Sequence, residues 1–377
     1  MPSRSVAVVL GTPSELIKLA GLVRTLGSAV RLLHTGRTHE AGLSEDLPAG
    51  PGLPEPTFLA DVGEHPRLVR VTASMERLYE DFSAEPPGAV VVHGGTDAAV
   101  AGTLTAQALD LPLIHVEAGM RSHHRAIPDE RNRALVDRLG DVLCAATPAN
   151  RELLLAEGIP EHRIHVTGNT VVETVCAHLP PREEREAILA RYGLVRDGYL
   201  LATVHRPEHT GDPAVLAVIL AELAGLARDL PVILPLHPRT RARVDAVGLH
   251  PLLKDLTVVP LTGYGTFLAL ARHAALLVSD SGSLQEEATV LGRPLVAVRR
   301  STERPEAMLH DFADLVTPGL DITDAAHRRL GQGPEELRRL AAAPSPFGDG
   351  RATERISGLI RHTIQSDRRR VAAPEDL

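Results

Sequence analysis

The run Val278-Ser279-Asp280-Ser281-Gly282-Ser283-Leu284-Gln285-Glu286-Glu287 decides the fold. An apolar stretch, Leu276–Ser279, ends in small polar residues, and a helical pattern, Ser283–Leu291, begins at once. A continuous apolar strand that turns directly into a helix is the repeating unit of a parallel sheet covered on both faces. Backbone N–H groups at such a helix start, with the hydroxyls of Ser281 and Ser283, suit a phosphate or pyrophosphate, and Glu287 can accept from ribose hydroxyls. An ordinary helix cap explains the same residues locally.

The unit recurs on either side. Strand-like runs lie at Val6–Leu10, Ala29–His34, Ala89–His93, Leu113–Val116, Val142–Ala145 and His165–Thr167. A second series holds Tyr199–Thr203, Val232–Leu236, Thr257–Val259, Leu276–Ser279 and Leu295–Val298. Helical patterns such as Ser14–Leu26, Asp97–Leu109 and Pro213–Arg228 separate them. The series break around Pro180-Pro181 and the charged run Arg182–Arg185. The expected fold is α/β, with two Rossmann-like parallel-sheet domains facing a central cleft. Residues 1–172 form the first and 173–350 the second; a closing helix at 351–366 (Arg351–Gln365 at its core) packs back on the first, and 367–377 is a flexible tail. Leu47–Pro56 reads as a Pro-rich loop. Ligands of such sheets sit at the carboxyl ends of the strands, so the residues after each strand are the candidates.

Composition narrows the class. Of 377 residues, 44% are apolar and 23% charged, and the net charge is −8. That is a globular composition too long for one core and too acidic for a dedicated nucleic-acid binder. Aromatics at 2% leave no stacking platform for bases. No apolar run approaches the ~20 residues of a membrane span, and Val6–Leu10 is too short for a signal peptide. The two cysteines, Cys144 and Cys176, read as small apolar residues in a reducing compartment. Only two lysines, Lys18 and Lys254, occur among 40 basic residues.

Charged residues do follow the strands. His115 and Glu117 alternate onto one face at a strand end, where a carboxylate is an acid–base candidate or a salt-bridged cap. A metal reading through His123 and His124 lacks any completing spacing. Pro128-Asp129-Glu130-Arg131-Asn132-Arg133 is good helix-start grammar, yet Asn132 is one of three Asn in the chain and hints at a specific hydrogen bond. His205-Arg206 and His237-Pro238-Arg239 close successive strands and point to an anion-binding cleft. Lys18, one turn into the first helix, is a solvated lysine or a reach into the cleft.

In order, HVEAGMRS (115–122), PDERNR (128–133), VTGNTVVETV (166–175), TVHRPE (203–208), HPRT (237–240), SDSGSLQEEA (279–288) and STERPEA (301–307) resemble the non-hydrolysing UDP-N-acetylglucosamine 2-epimerases from about residue 5 to 365. The resemblance implies a glycosyltransferase-B-like architecture. It also implies a cytoplasmic homodimer that binds a UDP-sugar, needs no metal or nicotinamide cofactor, and has neither nucleic acid nor membrane as partner. The implied reaction interconverts UDP-GlcNAc and UDP-ManNAc by eliminating UDP to a 2-acetamidoglucal and re-adding it. By the same resemblance Glu117, Asp129 and Glu130 are the acid–base carboxylates, and His205 is the histidine near the diphosphate. Lys18, Arg133, Arg206, His237, Phe267, Ser281, Gly282, Ser283, Glu287 and Arg304 bind substrate, with Phe267 near the uracil.

Three departures stand out. Pro13 replaces an arginine of the family's first turn. In His93-Gly94-Gly95-Thr96-Asp97, Gly95 replaces the catalytic aspartate, and Asp97 either takes its role or caps the following helix. The segment the family ties to activation by substrate reads Thr35-Gly36-Arg37-Thr38-His39. A 2-epimerase on UDP-GlcNAc or a modified UDP-HexNAc is the first reading. A UDP-sugar hydrolase or sugar-transferring enzyme, and a non-catalytic UDP-sugar binder, are the others.

Overall fold

The computed structural model describes residues 5–36, 53–59, 65–124 and 127–372. The chain forms two compact units that part after Thr174 and again after Pro346, where it returns to the first unit. The first sheet holds β1 (Val6–Leu10), β2 (Val30–His34), β3 (Thr57–Phe58), β4 (Ala89–His93), β5 (Leu113–Ala118), β6 (Val142–Ala145) and β7 (Ile164–Val166), in the order β3-β2-β1-β4-β5-β6-β7. The second holds β8 (Leu200–Thr203), β9 (Val232–Leu236), β10 (Thr257–Pro260), β11 (Leu276–Ser279), β12 (Leu295–Val298) and β13 (Ala313–Val316), in the order β10-β9-β8-β11-β12-β13. Every pairing is parallel.

Both sheets reverse direction once, between β1 and β4 and between β8 and β11. Connections on the two sides of a reversal leave to opposite faces, so the strands' carboxyl ends there open a crevice. The loops after β1 and β4, and after β8 and β11, carry the charged motifs.

The strands are buried because helices cover both faces. Val6, Val8 and Leu10 of β1 share a core with Leu16, Leu19, Leu22 and Val23 of the helix Pro13–Leu26. That helix starts at Thr12, whose hydroxyl accepts from the Glu15 N–H, and it takes Pro13 in the first turn, where no N–H is needed. It stops at Gly27, whose φ of +62° suits a residue without Cβ. Ile356 and Ile360 of the closing helix Ala352–Ala372 complete this core. In the second unit, Leu200, Leu234, Val278 and Val296 pack against Leu216, Leu220 and Leu223 of the helix Pro213–Leu226.

Some boundaries differ from expectation. The edge strands β3 and β13 lack a continuous apolar run: β3 has two residues, and β13 carries Asp314. Gly27–Ala29 is a 3₁₀ turn, so β2 begins at Val30. The closing helix continues past Gln365 to Ala372. Residues 37–52, with Arg37, Thr38, His39 and most of the Pro-rich loop, and residues 373–377 lie outside the described residues.

Ile356 is fully buried. Ile356→Ala should therefore lower unfolding free energy by about 2–5 kcal/mol in urea titrations. A loss under about 1 kcal/mol would mean that the closing helix does not fill this core.

Candidate active site

In the first unit the crevice residues form a buried charged cluster. Lys18 Nζ lies 2.5 Å from Glu117 Oε1, and both side chains are almost fully buried. Asn169 Nδ2 donates to the same oxygen at 2.9 Å, and His93 Nε2 stands 3.3 Å from it, outside hydrogen-bond alignment. Glu117 has a φ of +64°, and the pairing of β5 with β6 shifts register between Val116 and Ala118. That bulge breaks the expected alternation. His115 instead faces Asp137, 2.7 Å from Nδ1, and the Gly94 carbonyl, 2.9 Å from Nε2.

Glu15 joins this cluster. Its carboxylate accepts from Gly11 N–H, the Thr12 hydroxyl and the Thr96 hydroxyl. Burial nevertheless raises its pKa, against the opposing pull of His93 and these hydrogen bonds. Glu130 is tied differently. Its carboxylate accepts from the N–H and hydroxyl of Ser122 and from His123 N–H, and pairs with Arg133 at 3.2 Å. Burial alone would raise its pKa, but these contacts hold it below the usual range, so it is a poor proton acceptor. Asp129 is exposed on the same helix, Pro128–Leu139.

Asp97 does not cap its helix; Thr96 does, accepting from Ala99 N–H. The Asp97 carboxylate pairs with Arg67 at 2.7 Å and Arg70 at 2.9 Å. Arg67 also donates to Asn132 Oδ1, and Asn132 Nδ2 donates to the Gly95 carbonyl at 2.8 Å. These contacts tie Asp97 to Arg67 and Arg70 at the start of its helix.

In the second unit Asp280 ties the two sides of the reversal together. It is buried, accepts from the backbone N–H groups of His205 and Arg206, and meets Nδ1 of His205 and of His209, each at 3.0 Å. Burial would raise its pKa; these partners push it far below the usual carboxylate range. The His205 and His237 rings lie 5.7 Å apart. His237 Nδ1 accepts from Arg239 N–H, and burial, His205 and Arg239 pull its pKa down to about 4. The imidazole is neutral at pH 7.

Beside it, Ser281 caps the helix Gly282–Leu291 and lies 3.3 Å from the Ser283 hydroxyl. A Cβ at Gly282 would stand 3.0 Å from Arg304 Nη1 and 3.3 Å from Arg299 Nη1. Arg304 pairs with Glu286 at 2.7 Å and with Glu303, and Arg299 with Glu303 at 2.8 Å. Burial lowers the Arg299 pKa against the pull of Glu303, and Arg206 and Arg304 add to the lowering. Glu287 accepts from the Tyr264 hydroxyl at 3.1 Å, and Phe267 is half-buried on Tyr264's helix. Among the described residues no group of three or more His, Cys, Asp or Glu is placed to hold a metal ion.

The family model for UDP-N-acetylglucosamine 2-epimerase matches residues 23–361. This chain belongs to that family. The UDP-N-acetylglucosamine 2-epimerase of Methanocaldococcus jannaschii is 30% identical over 94% of this chain and 98% of its own. Its crystal structure in complex with UDP-GlcNAc and UDP superposes with a TM-score of 0.81 over 95% of this chain and 99% of that one, at 30% identity. The Neisseria meningitidis UDP-GlcNAc 2-epimerase bound to UDP-GlcNAc gives a TM-score of 0.85 at 26% identity, over 95% and 100%. A Pseudomonas aeruginosa relative, 31% identical over 94% and 99%, is a UDP-2,3-diacetamido-2,3-dideoxy-D-glucuronate 2-epimerase.

Of the residues singled out by family resemblance, the structure brings Lys18 to Glu117, Arg133 to Glu130, His205 and Arg206 to Asp280, and Arg304 to the Gly282 turn. Glu15, His93, Asn169, Asp280, His209, Arg299 and Tyr264 were not singled out from sequence. Asn169 carried one usable signal, its rarity: Asn132, Asn150 and Asn169 are the chain's three Asn, and each donates to a partner in the first unit.

The family's aspartate position has a steric explanation here. A Cβ on Gly95 would overlap the Asp129 carbonyl oxygen and stand 2.7 Å from Arg133 Cγ. The start of helix Pro128–Leu139 therefore occupies the space a side chain would need. Gly95→Ala should destabilise the first unit by about 1–3 kcal/mol in thermal unfolding, and Gly95→Asp should not raise activity. A stable, more active Gly95→Asp enzyme would contradict this packing.

Asp280 and His237 both have folded pKa values below their unfolded ones. Their contributions to stability are present at neutral pH and fade with acid, for His237 between about pH 6.5 and 4, and for Asp280 below about pH 4. Urea midpoints should fall from pH 7 to pH 4, and His237→Asn, which can still cap its helix, should flatten that fall. An unchanged slope would refute the His237 assignment.

Proposed function

We propose that this chain is a 2-epimerase that interconverts UDP-GlcNAc and UDP-ManNAc. The observation that carries the reading is the buried Lys18–Glu117 pair at the end of β5, found in a chain of the 2-epimerase family. The C2 proton of the sugar is a weak acid, so its removal needs a fixed, water-excluded carboxylate. In this reading Glu117 takes that proton as the C1–O bond breaks. UDP leaves with the bonding electrons, and a C1=C2 bond forms in the 2-acetamidoglucal. A proton returns to the opposite face of C2, and the UDP oxygen re-adds at C1. His93 lies beside Glu117, and its charge opposes the rise that burial gives the Glu15 pKa. Asp129 remains a candidate for the opposite face, whereas Glu130 and Asp97 are assigned here to holding the loop and the neighbouring helix.

The departing diphosphate gathers negative charge and needs fixed donors. Arg206, Arg299, Arg304, His205, the Ser281 hydroxyl and the N–H groups opening helix Gly282–Leu291 are those the second unit offers. Glu287 with Tyr264 is assigned to the ribose and Phe267 to the uracil. A cytoplasmic homodimer is part of the proposal, by resemblance. No helix among the described residues is long and apolar enough to cross a membrane.

A modified UDP-HexNAc is the second reading. The Pseudomonas relative acts on such a sugar at similar identity, and Pro13 and Gly95 remove two side chains usual in the sugar pocket.

Incubation with UDP-GlcNAc in deuterated water, followed by NMR, tests the function. The expected result is UDP-ManNAc with deuterium at C2. Free UDP with released sugar or glucal and no epimer would replace the reading with a hydrolytic one. Binding without exchange would leave a non-catalytic binder, or an enzyme for the modified sugar if that substrate exchanges.

A further inference from the structure

The second sheet has another end, at the amino termini of its strands. Ala275 immediately precedes β11, Arg293 lies two residues before β12, and Asp197 lies just before β8. Together they line a cavity of about 580 Å³. Its volume is in the range of small-ligand pockets. Across four-residue strands, at about 3.3 Å per residue, it stands roughly 13 Å from the Asp280 cluster.

Its lining is cationic in a protein whose net charge is −8: Arg196, Arg272, Arg293, Arg329 and Arg338 face Asp197 and Glu336. Some of this charge is spent internally. Arg329 forms a forked pair with Asp314, and Glu336 is paired with Arg339. Arg293 pairs with Asp197 and donates to the Ala274 carbonyl, yet its Nε, on a side chain 8% exposed, has no hydrogen-bond partner. Arg196 and Arg338 are exposed at the cavity and have no ion-pair partner among the described residues. Leu230, Leu330 and Leu337 supply an apolar wall.

The basic groups repel one another. Burial, then Arg293, Arg185 and Arg196, lower the Arg272 pKa, and Asp197 opposes them. The adjacent His273 is pulled down to about 4 by burial and the same arginines. An anion placed among them would relieve this repulsion. A local positive field of this kind attracts anions even on an acidic protein.

We propose that this cavity is a second ligand site, for a small organic phosphate whose apolar body lies against the leucine wall. It is distinct from the cluster at the strands' carboxyl ends and does not depend on the reaction assigned above. Calorimetric titration with phenyl phosphate and with inorganic pyrophosphate, each with and without saturating UDP, tests it. Phenyl phosphate should bind once per chain whether or not UDP is present. The double variant Arg196→Ser/Arg338→Ser should weaken that binding at least 10-fold and leave UDP uptake unchanged. No uptake of phenyl phosphate, uptake of pyrophosphate alone, displacement by UDP, or full uptake by the double variant would each overturn the proposal.

Discussion

An ammonium and a carboxylate meet 2.5 Å apart beneath the surface of the first unit, and much of that unit is arranged to keep them there. Two buried charges lose most of their hydration, so the pair stands only if its remaining contacts are well made; removing one partner would cost about 3–5 kcal/mol. Asn169 supplies one such contact from 52 residues away in the chain. The left-handed backbone at Glu117, worth about 1–3 kcal/mol of strain, turns the side chain out of the alternating pattern of β5. The register shift against β6 fixes that turn.

The second unit solves a related problem with the opposite sign. Asp280 is a buried carboxylate that is not assigned to chemistry. It holds the His205-Arg206 backbone and two imidazoles across the reversal between β8 and β11. The cations Arg206, Arg299 and Arg304 are thereby gathered beside a helix start, with Glu286 and Glu303 limiting their mutual repulsion. One unit offers a carboxylate paired with a cation, the other cations restrained by carboxylates. The elimination proposed here needs both, because a proton leaves C2 as negative charge gathers on the diphosphate.

The inner strands were legible because burial on both faces writes a continuous apolar run. Val6–Leu10 and Leu276–Ser279 follow the sequence reading to the residue. The edge strand Ala313–Val316 was hidden by Asp314, which serves an ion pair with Arg329 and not the sheet. Residues at strand ends were legible as types, while their partners were not. Asp280 reaches His205, and Asn169 reaches Glu117, only through a strand order that local sequence does not contain. Gly95 looked like a lost catalytic side chain; its reason lies in how closely the start of helix Pro128–Leu139 approaches, a contact no motif records.

The central claim is that Glu117, poised by Lys18, moves the proton at C2. Turnover of UDP-GlcNAc by Glu117→Gln, with UDP affinity measured on the same preparation, tests it most directly. The account predicts a rate at least about 100-fold lower with UDP binding intact. A variant that epimerises at close to the wild-type rate would contradict it.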